Sequence, residues 1–168
     1  VLLISRLEKS SAPIAFSEID LDQAIHNAIR HVDLLVKSKK GSISTRFEAS
    51  DKLFKGNLNH ITNLIINLLD NSIKYSDNPP EIKITTLNTN KDLIFTIEDS
   101  GIGMDLTTQK LVFEKFYREQ SGNIHNIKGH GLGLSYVKKI IDLHNGSIEL
   151  ISNVGKGTSF TISFPKKQ

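Results

Sequence analysis

The segment 58–76 constrains the fold more than any other part of the chain, because its two faces have opposite chemistry. Its apolar side chains recur at intervals of three and four residues, a spacing that predicts an amphipathic helix. The members of this stripe are Ile61, Leu64, Ile65, Leu68, Leu69 and Ile73. A stripe of large apolar side chains has to be covered by a second layer of structure. The segment therefore predicts a layered domain with a hydrophobic core.

The rest of the chain supplies further helices and a sheet. The same spacing predicts helices over 22–38 and 131–144. Alternating apolar patterns between turn residues predict strands over 16–21, 42–48, 52–55, 81–87, 93–99, 147–152 and 158–164. Three main helices on one face of a mixed sheet make a two-layer α/β sandwich, which is the fold class that we predict.

Length and composition limit the domain organisation and the class of function. The 168 residues, 38% of them hydrophobic, suffice for one domain with a real core. The chain has no cysteine, which excludes a disulfide framework and a thiolate zinc site. Its net charge of +3 comes without a dense basic block, so we expect no nucleic-acid partner. We assign residues 1–12 to a helix tail and a linker, and residues 13–168 to the domain.

The polar stripe of the helix at 58–76 has an unusual composition. It carries His60, Asn63, Asn67, Asp70, Asn71 and Lys74. Asparagine costs roughly half a kcal/mol relative to alanine inside a helix, so its repetition here needs a reason. Amide oxygens are suitable ligands for Mg²⁺, which takes one or two protein ligands besides substrate phosphates. A polar face without a function stays open as the alternative.

Three glycine motifs follow the helix at 58–76, which we call the asparagine helix. In the first, the strand 93–99 ends in Asp99, whose carboxylate can accept a hydrogen bond from an exocyclic amine, beside Gly101 and Gly103, which allow a ligand to approach the backbone. An ordinary Asp-Ser-Gly turn is the alternative.

The other two glycine motifs lie further along the chain. Glycines at 129, 131 and 133 open a helix whose free N–H groups can seat a phosphate. Their spacing matches neither the dinucleotide-binding fingerprint nor the P-loop, and a flexible loop is the alternative. The motif Gly155-Lys-Gly157-Thr158 lies in a hairpin, which needs no function.

In this order the motifs resemble the catalytic and ATP-binding domain of sensor histidine kinases. That domain belongs to the superfamily of gyrase, heat-shock chaperone, histidine kinase and mismatch-repair ATPases, with its Bergerat-type fold. The resemblance covers residues 57–164 and is specific because five motifs keep their order. The matching segments are Asn67 to Ser76 (N box), Asp99 to Gly103 (G1 box), Phe113 to Arg118 (F box), Gly129 to Leu134 (G2 box) and Gly155 to Thr158.

The resemblance implies ATP and Mg²⁺ as ligands and a role for each motif residue. Asp99, with Gly101 and Gly103, would hold the adenine amino group, and Asn71 would coordinate Mg²⁺. Asn67, Lys74 and Tyr75 would line the phosphate and ribose side, and Arg118 would approach the γ-phosphate. Asn67, Lys74 and Arg118 are therefore the implied catalytic residues. The remaining nucleotide-binding residues would be Lys128, Gly129, His130, Gly131, Leu132, Gly133, Leu134 and Thr158.

The resemblance also implies partners. A histidine kinase phosphorylates a histidine that is followed by an acidic residue on its own dimerisation and phosphoacceptor domain, and then acts on a response regulator. None of the six histidines here has an acidic neighbour, so we expect the acceptor on a domain outside this sequence. Val1 to Glu8 resemble the end of the second helix of that domain, and a linker follows them. We expect a monomeric fragment of a homodimeric protein, lying on the cytoplasmic side of a bacterial inner membrane.

Three other functions stay open within the superfamily. A gyrase-like or chaperone-like ATPase would carry a glutamate as general base where Asn67 stands, and an amide does not accept a proton usefully. A serine kinase such as an anti-sigma factor and a non-enzymatic pseudokinase are the others. Two residues depart from the common pattern: His130 replaces Thr or Ser, and Ser72 replaces Ala, which we expect to have no consequence.

Overall fold

The computed structural model describes residues 14–115, 117 and 133–166 of the chain. The predicted helix tail and linker over 1–12 lie outside the described residues. The same holds for six predicted site residues, which are Arg118, Lys128, Gly129, His130, Gly131 and Leu132.

Seven strands form two sheets in the described part of the chain. In chain order they are β1 (Ser17–Asp20), β2 (Ser42–Phe47), β3 (Leu53–Gly56), β4 (Glu81–Asn88), β5 (Asp92–Asp99), β6 (Ser147–Asn153) and β7 (Gly157–Pro165). The larger sheet has the order β2-β4-β5-β7-β6. Its β2–β4 pair is parallel and its other pairs are antiparallel. The strands β1 and β3 form a separate antiparallel ribbon.

Four helices are described, and each of the first three begins at a side-chain cap. They are α1 (Leu21–Ser38), α2 (Leu58–Lys74), α3 (Leu106–Leu111) and α4 (Gly133–Leu143). Asp20, Asn57 and Asp105 cap α1, α2 and α3 by accepting from backbone N–H groups that the helix leaves unpaired. None of the described helices combines the length and apolarity that a membrane span requires.

The hydrophobic core lies between the helices and one face of the larger sheet. The α2 stripe predicted from the sequence is fully buried from Ile61 to Ile73. From the sheet, Phe95 and Phe164 are fully buried and stack with ring centroids 6.2 Å apart. The predicted two-layer α/β class is confirmed. Two details differ from the prediction: β1 and β3 stay out of the main sheet, and α3 adds a short helix that the mixed sequence after Met104 did not reveal.

The buried imidazole of His144 connects the ends of two helices with the segment that precedes β1. Its Nδ1 lies 2.7 Å from the carbonyl oxygen of Ile140, which only accepts, so Nδ1 carries the proton. Its Nε2 accepts from the backbone N–H of Asn57 at 3.1 Å. Phe16 stacks on the ring with centroids 4.6 Å apart. Burial lowers the pKa of His144, and the bond that Nε2 accepts requires the neutral ring, while the Nδ1 bond to Ile140 acts in the opposite direction by raising the pKa. This contact joins the end of α4 to the start of α2 and to the segment before β1.

Candidate functional site

The centre of the site is the Asp99 carboxylate at the end of β5. Its Oδ1 accepts from the backbone N–H groups of Gly101 at 2.9 Å and Thr158 at 3.2 Å. Its Oδ2 accepts from the hydroxyl of Ser72 at 2.8 Å. Burial raises the pKa of this carboxyl, and the three hydrogen bonds act in the opposite direction by favouring the ionised form. The group is therefore a partly buried acceptor surrounded by donors.

The alternation of β5 explains why Asp99 points towards the helices. Leu93, Phe95 and Ile97 are fully buried on the face that packs against the helix layer. Side chains two residues apart share a face of a strand, so Asp99 continues this row at its carboxyl end. In the ladder Asp99 lies opposite Thr158 of β7, which brings the last hairpin to the carboxylate. Thr158, which we predicted as a nucleotide-binding residue, contributes its backbone N–H here.

Two serines in this network were missed by the sequence reasoning. Ser72 is only 3% exposed, although we expected it to have no consequence. It follows Leu68 by four residues and Leu69 by three, so it lies on the buried stripe, where a hydroxyl needs a partner. That position was the signal that could have identified it. Ser152 is also buried; its Oγ accepts from Met104 N–H at 2.8 Å and lies 3.0 Å from Thr158 Oγ1.

The glycines around Asp99 are required by contacts of backbone with backbone. A Cβ at Gly101 would lie 2.6 Å from the carbonyl oxygen of Tyr75. At Gly103, which has a φ of +69°, a Cβ would lie 1.9 Å from the carbonyl oxygen of Asn153. At Gly157, which has a φ of +86°, a Cβ would lie 1.9 Å from the carbonyl oxygen of Asp99 itself. We expected Gly101 and Gly103 to let a ligand approach the backbone. In the described part of the chain, the groups that approach them most closely are the chain's own carbonyl groups.

α2, which contacts this carboxylate through Ser72, also carries the polar stripe. Asn67 donates from Nδ2 to the carbonyl oxygen of Asn63 at 2.7 Å. Its Oδ1 lies 3.0 Å from the position that a Cβ would occupy on Gly133. The first residue of α4 therefore lies against Asn67. The side-chain amide of Asn71 is half-buried and forms no hydrogen bond to any described residue. Its oxygen is therefore available to a ligand within this part of the structure.

The other predicted residues of this region have clear places. Lys74 forms an ion pair with Asp70, one turn earlier on the same helix. Tyr75 is the C-cap residue of α2, with 37% of its surface exposed. Leu134 packs against the core from the first turn of α4. Phe113 contacts Phe160 edge-on, with ring centroids 6.4 Å apart. The structure thus brings together α2, the turn that follows Asp99 and the hairpin of β6 and β7.

Comparisons with known proteins agree with this arrangement. A sequence profile of the family described as histidine kinase-, DNA gyrase B-, and HSP90-like ATPase matches residues 56–168. The sensor protein RprX of Bacteroides fragilis is 39% identical over 98% of this chain. The catalytic domain of the histidine kinase ThkA superposes with a TM-score of 0.76 at 23% identity, covering 92% of this chain and 100% of that chain. The resemblance drawn from the order of the motifs is confirmed.

Two of these comparisons also concern longer proteins. ThkA in complex with the response regulator protein TrrA gives a TM-score of 0.78 at 23% identity, over 99% of this chain and 46% of that chain. The present chain spans only 32% of the length of RprX.

We predict that Gly157→Ala destabilises the fold much more than Gly155→Ala, although both residues have positive φ in the hairpin of β6 and β7. A Cβ at Gly155 meets nothing within 4 Å, whereas one at Gly157 collides with the Asp99 carbonyl. The expected cost is about 1–2 kcal/mol for Gly155→Ala, from the left-handed backbone alone, and more for Gly157→Ala. Urea unfolding of both variants measures the difference. Equal losses would show that the close approach at Asp99 does not constrain the fold.

Proposed function

We propose, because this chain belongs to the histidine kinase-, DNA gyrase B-, and HSP90-like ATPase family, that its Asp99 site binds the adenine of ATP. The observation that carries the proposal is the donor arrangement around the carboxylate. Gly101 and Thr158 donate to Oδ1 and Ser72 donates to Oδ2, so Asp99 is held as an acceptor. An exocyclic amine is a matching donor. Guanine has a carbonyl oxygen at the place of that amine, and its lone pairs would face the carboxylate.

Asn71 is the residue that we propose for Mg²⁺. The fit rests on its side-chain amide, which is unbonded within the described residues and offers a neutral oxygen. Mg²⁺, when bound, would neutralise the charge of the nucleotide phosphates. Lys74 is proposed as a phosphate contact, and for that role it would have to exchange its ion pair with Asp70 for a phosphate oxygen.

The phosphates are proposed to lie between Asn67 and the start of α4. Gly133 begins this helix against the Asn67 side chain, and helix N-termini favour anions. Tyr75 is exposed at the end of α2, where it can line the ribose. The proposed contacts of Arg118, and of Lys128 through Leu132, lie outside the described residues.

The whole protein is proposed to act as a histidine kinase. The γ-phosphoryl group would move to an imidazole nitrogen on a separate dimerisation and phosphoacceptor domain: an N–P bond forms, the bond to the bridging oxygen of the β-phosphate breaks, ADP leaves and the imidazole proton is released. Asn67 lacks the basicity to activate water, which favours transfer over hydrolysis. ThkA forms a complex with a response regulator, and we propose such a partner here. A homodimer and a place on the cytoplasmic side of a bacterial inner membrane complete the proposal.

We predict that the protein prefers ATP to GTP and that Asp99→Ala weakens ATP binding by roughly 1–3 kcal/mol, because the amine loses its partner. This corresponds to about 5- to 150-fold in Kd. Calorimetric titration with both nucleotides measures the effect. Glu98→Ala is the matched control, since Glu98 precedes Asp99 in β5 but is exposed and pairs with Lys83. Equal affinity of the unaltered protein for ATP and GTP would refute the adenine assignment.

We predict that Asn71→Ala removes the stabilisation that Mg²⁺ adds to bound ATP and leaves the ligand-free melting temperature nearly unchanged. Alanine is the better helix former, so the fold has no reason to weaken, while a lost ligand contact reduces the linked stabilisation. Melting with ATP, in Mg²⁺ or in a chelator, measures the metal-dependent part. Asn59→Ala, in the exposed first turn of α2, is the control. A variant that Mg²⁺ still stabilises as strongly as the parent excludes Asn71 as a ligand.

We predict that this chain alone neither autophosphorylates nor hydrolyses ATP at a useful rate. Phosphoryl transfer depends on a positioned nucleophile, and none of its six histidines has an acidic neighbour. The measurement is incubation with γ-labelled ATP, with and without the parent's dimerisation and phosphoacceptor domain. An acid-labile, base-stable label should appear on that domain only. Label on this chain, or rapid release of phosphate, would place the protein in another branch of the superfamily.

A further inference from the structure

The hydroxyl of Ser72 has an unusual partner for a serine inside a helix. Such hydroxyls commonly bond back to a carbonyl of their own helix four residues earlier. Ser76, which follows the end of α2, forms such a bond and donates to the carbonyl oxygen of Ser72 at 2.8 Å. Ser72 instead donates at 2.8 Å to Oδ2 of Asp99, which is 27 residues away in the sequence. The two serines thus form a natural pair for comparison.

The two oxygens of Asp99 differ in how much of their capacity is used. Oδ1 accepts two backbone N–H groups, from Gly101 and Thr158, which satisfies both of its lone pairs. Oδ2 has one partner among the described residues, the Ser72 hydroxyl, and keeps a second lone pair. Oδ2 is consequently the oxygen that can accept from a ligand.

The direction of that lone pair depends on Ser72. The terminal torsion of an aspartate is broad on its own, so contacts decide how the carboxylate is rotated. Backbone N–H groups hold Oδ1 from the strand side, and the Ser72 hydroxyl holds Oδ2 from the helix side. Because Ser72 is only 3% exposed, water does not readily replace its hydroxyl.

We propose that Ser72 is a positioning residue, which orients Oδ2 of Asp99 to accept the exocyclic amine of the nucleotide base. This inference rests on the proposed binding of adenine at Asp99 and adds the residue that sets base selectivity there. The Ser72 hydroxyl strengthens the binding of ligands that carry the amine and does not change the affinity for ligands that lack it. Replacing Ser72 therefore changes selectivity among purines, whereas loss of a purely structural serine would weaken all nucleotides alike.

The test compares ATP with purine riboside triphosphate, which lacks the amine. Calorimetric Kd values are measured for the unaltered protein, Ser72→Ala, Asp99→Ala and the double variant, with Ser76→Ala as the matched control. Ser72→Ala is expected to weaken ATP binding about 2- to 12-fold, the worth of one net hydrogen bond, and to leave the other nucleotide unchanged. Ser76→Ala should preserve the preference for ATP. In the Asp99→Ala background the second substitution should have no further effect.

The possible failures are distinguishable. If Ser72→Ala weakens both nucleotides equally, or acts undiminished without Asp99, the positioning role is wrong. If Asp99→Ala itself leaves the preference for ATP intact, the proposed adenine site is wrong. Ligand-free melting checks that each variant is folded. Should Ser72→Ala not fold, Ser72→Cys, similar in size with a weak donor, must reduce the ATP preference, and an unchanged preference refutes the inference.

Discussion

The contact on which the site depends is the convergence of three chain segments at the Asp99 carboxylate. α2 supplies the Ser72 hydroxyl, the turn after β5 supplies the Gly101 N–H, and β7 supplies the Thr158 N–H. A partly buried carboxylate without donors would be protonated or would disfavour the folded state. Satisfying it requires the helix layer and the sheet to meet in one register. The same interaction therefore fixes the packing of the layers and prepares an acceptor for a ligand.

Close packing around this carboxylate explains two glycine motifs that are distant in the sequence. Gly101 lies under the carbonyl of Tyr75 at the end of α2, and Gly157 lies against the carbonyl of Asp99. The Ile102 N–H donates to the Tyr75 carbonyl at 2.9 Å, and the Gly155 N–H donates to the Ile102 carbonyl at 2.7 Å. Side chains at these positions would separate the segments that hold Asp99. The glycines therefore serve the geometry of the acceptor first, whichever ligand it receives.

The sequence predicted what depends on local periodicity and missed what depends on tertiary partners. The α2 stripe and the row from Leu93 to Ile97 follow from spacing alone, so the layers could be predicted. The reason for Gly103 could not, because the colliding atom belongs to Asn153, fifty residues later in the chain. Short strands such as β1 do not encode which strand they pair with. The burial of Ser72 and the Asp70–Lys74 pair were different, because both follow from helix spacing alone.

α2 connects the separate parts of the site because its residues are spaced by turns of one helix. Asn67, Asn71 and Lys74 share the polar face, while Ser72, the residue after Asn71, lies on the buried stripe. A rigid helix fixes the distance between the group that orients the base acceptor and the amide proposed for the metal. Core packing of Leu68, Leu69 and Ile73, all fully buried, holds the helix that carries these groups. A shift of α2 by one residue would move all of these groups together, so the apolar stripe determines the alignment of base and phosphate contacts as well as the stability of the domain.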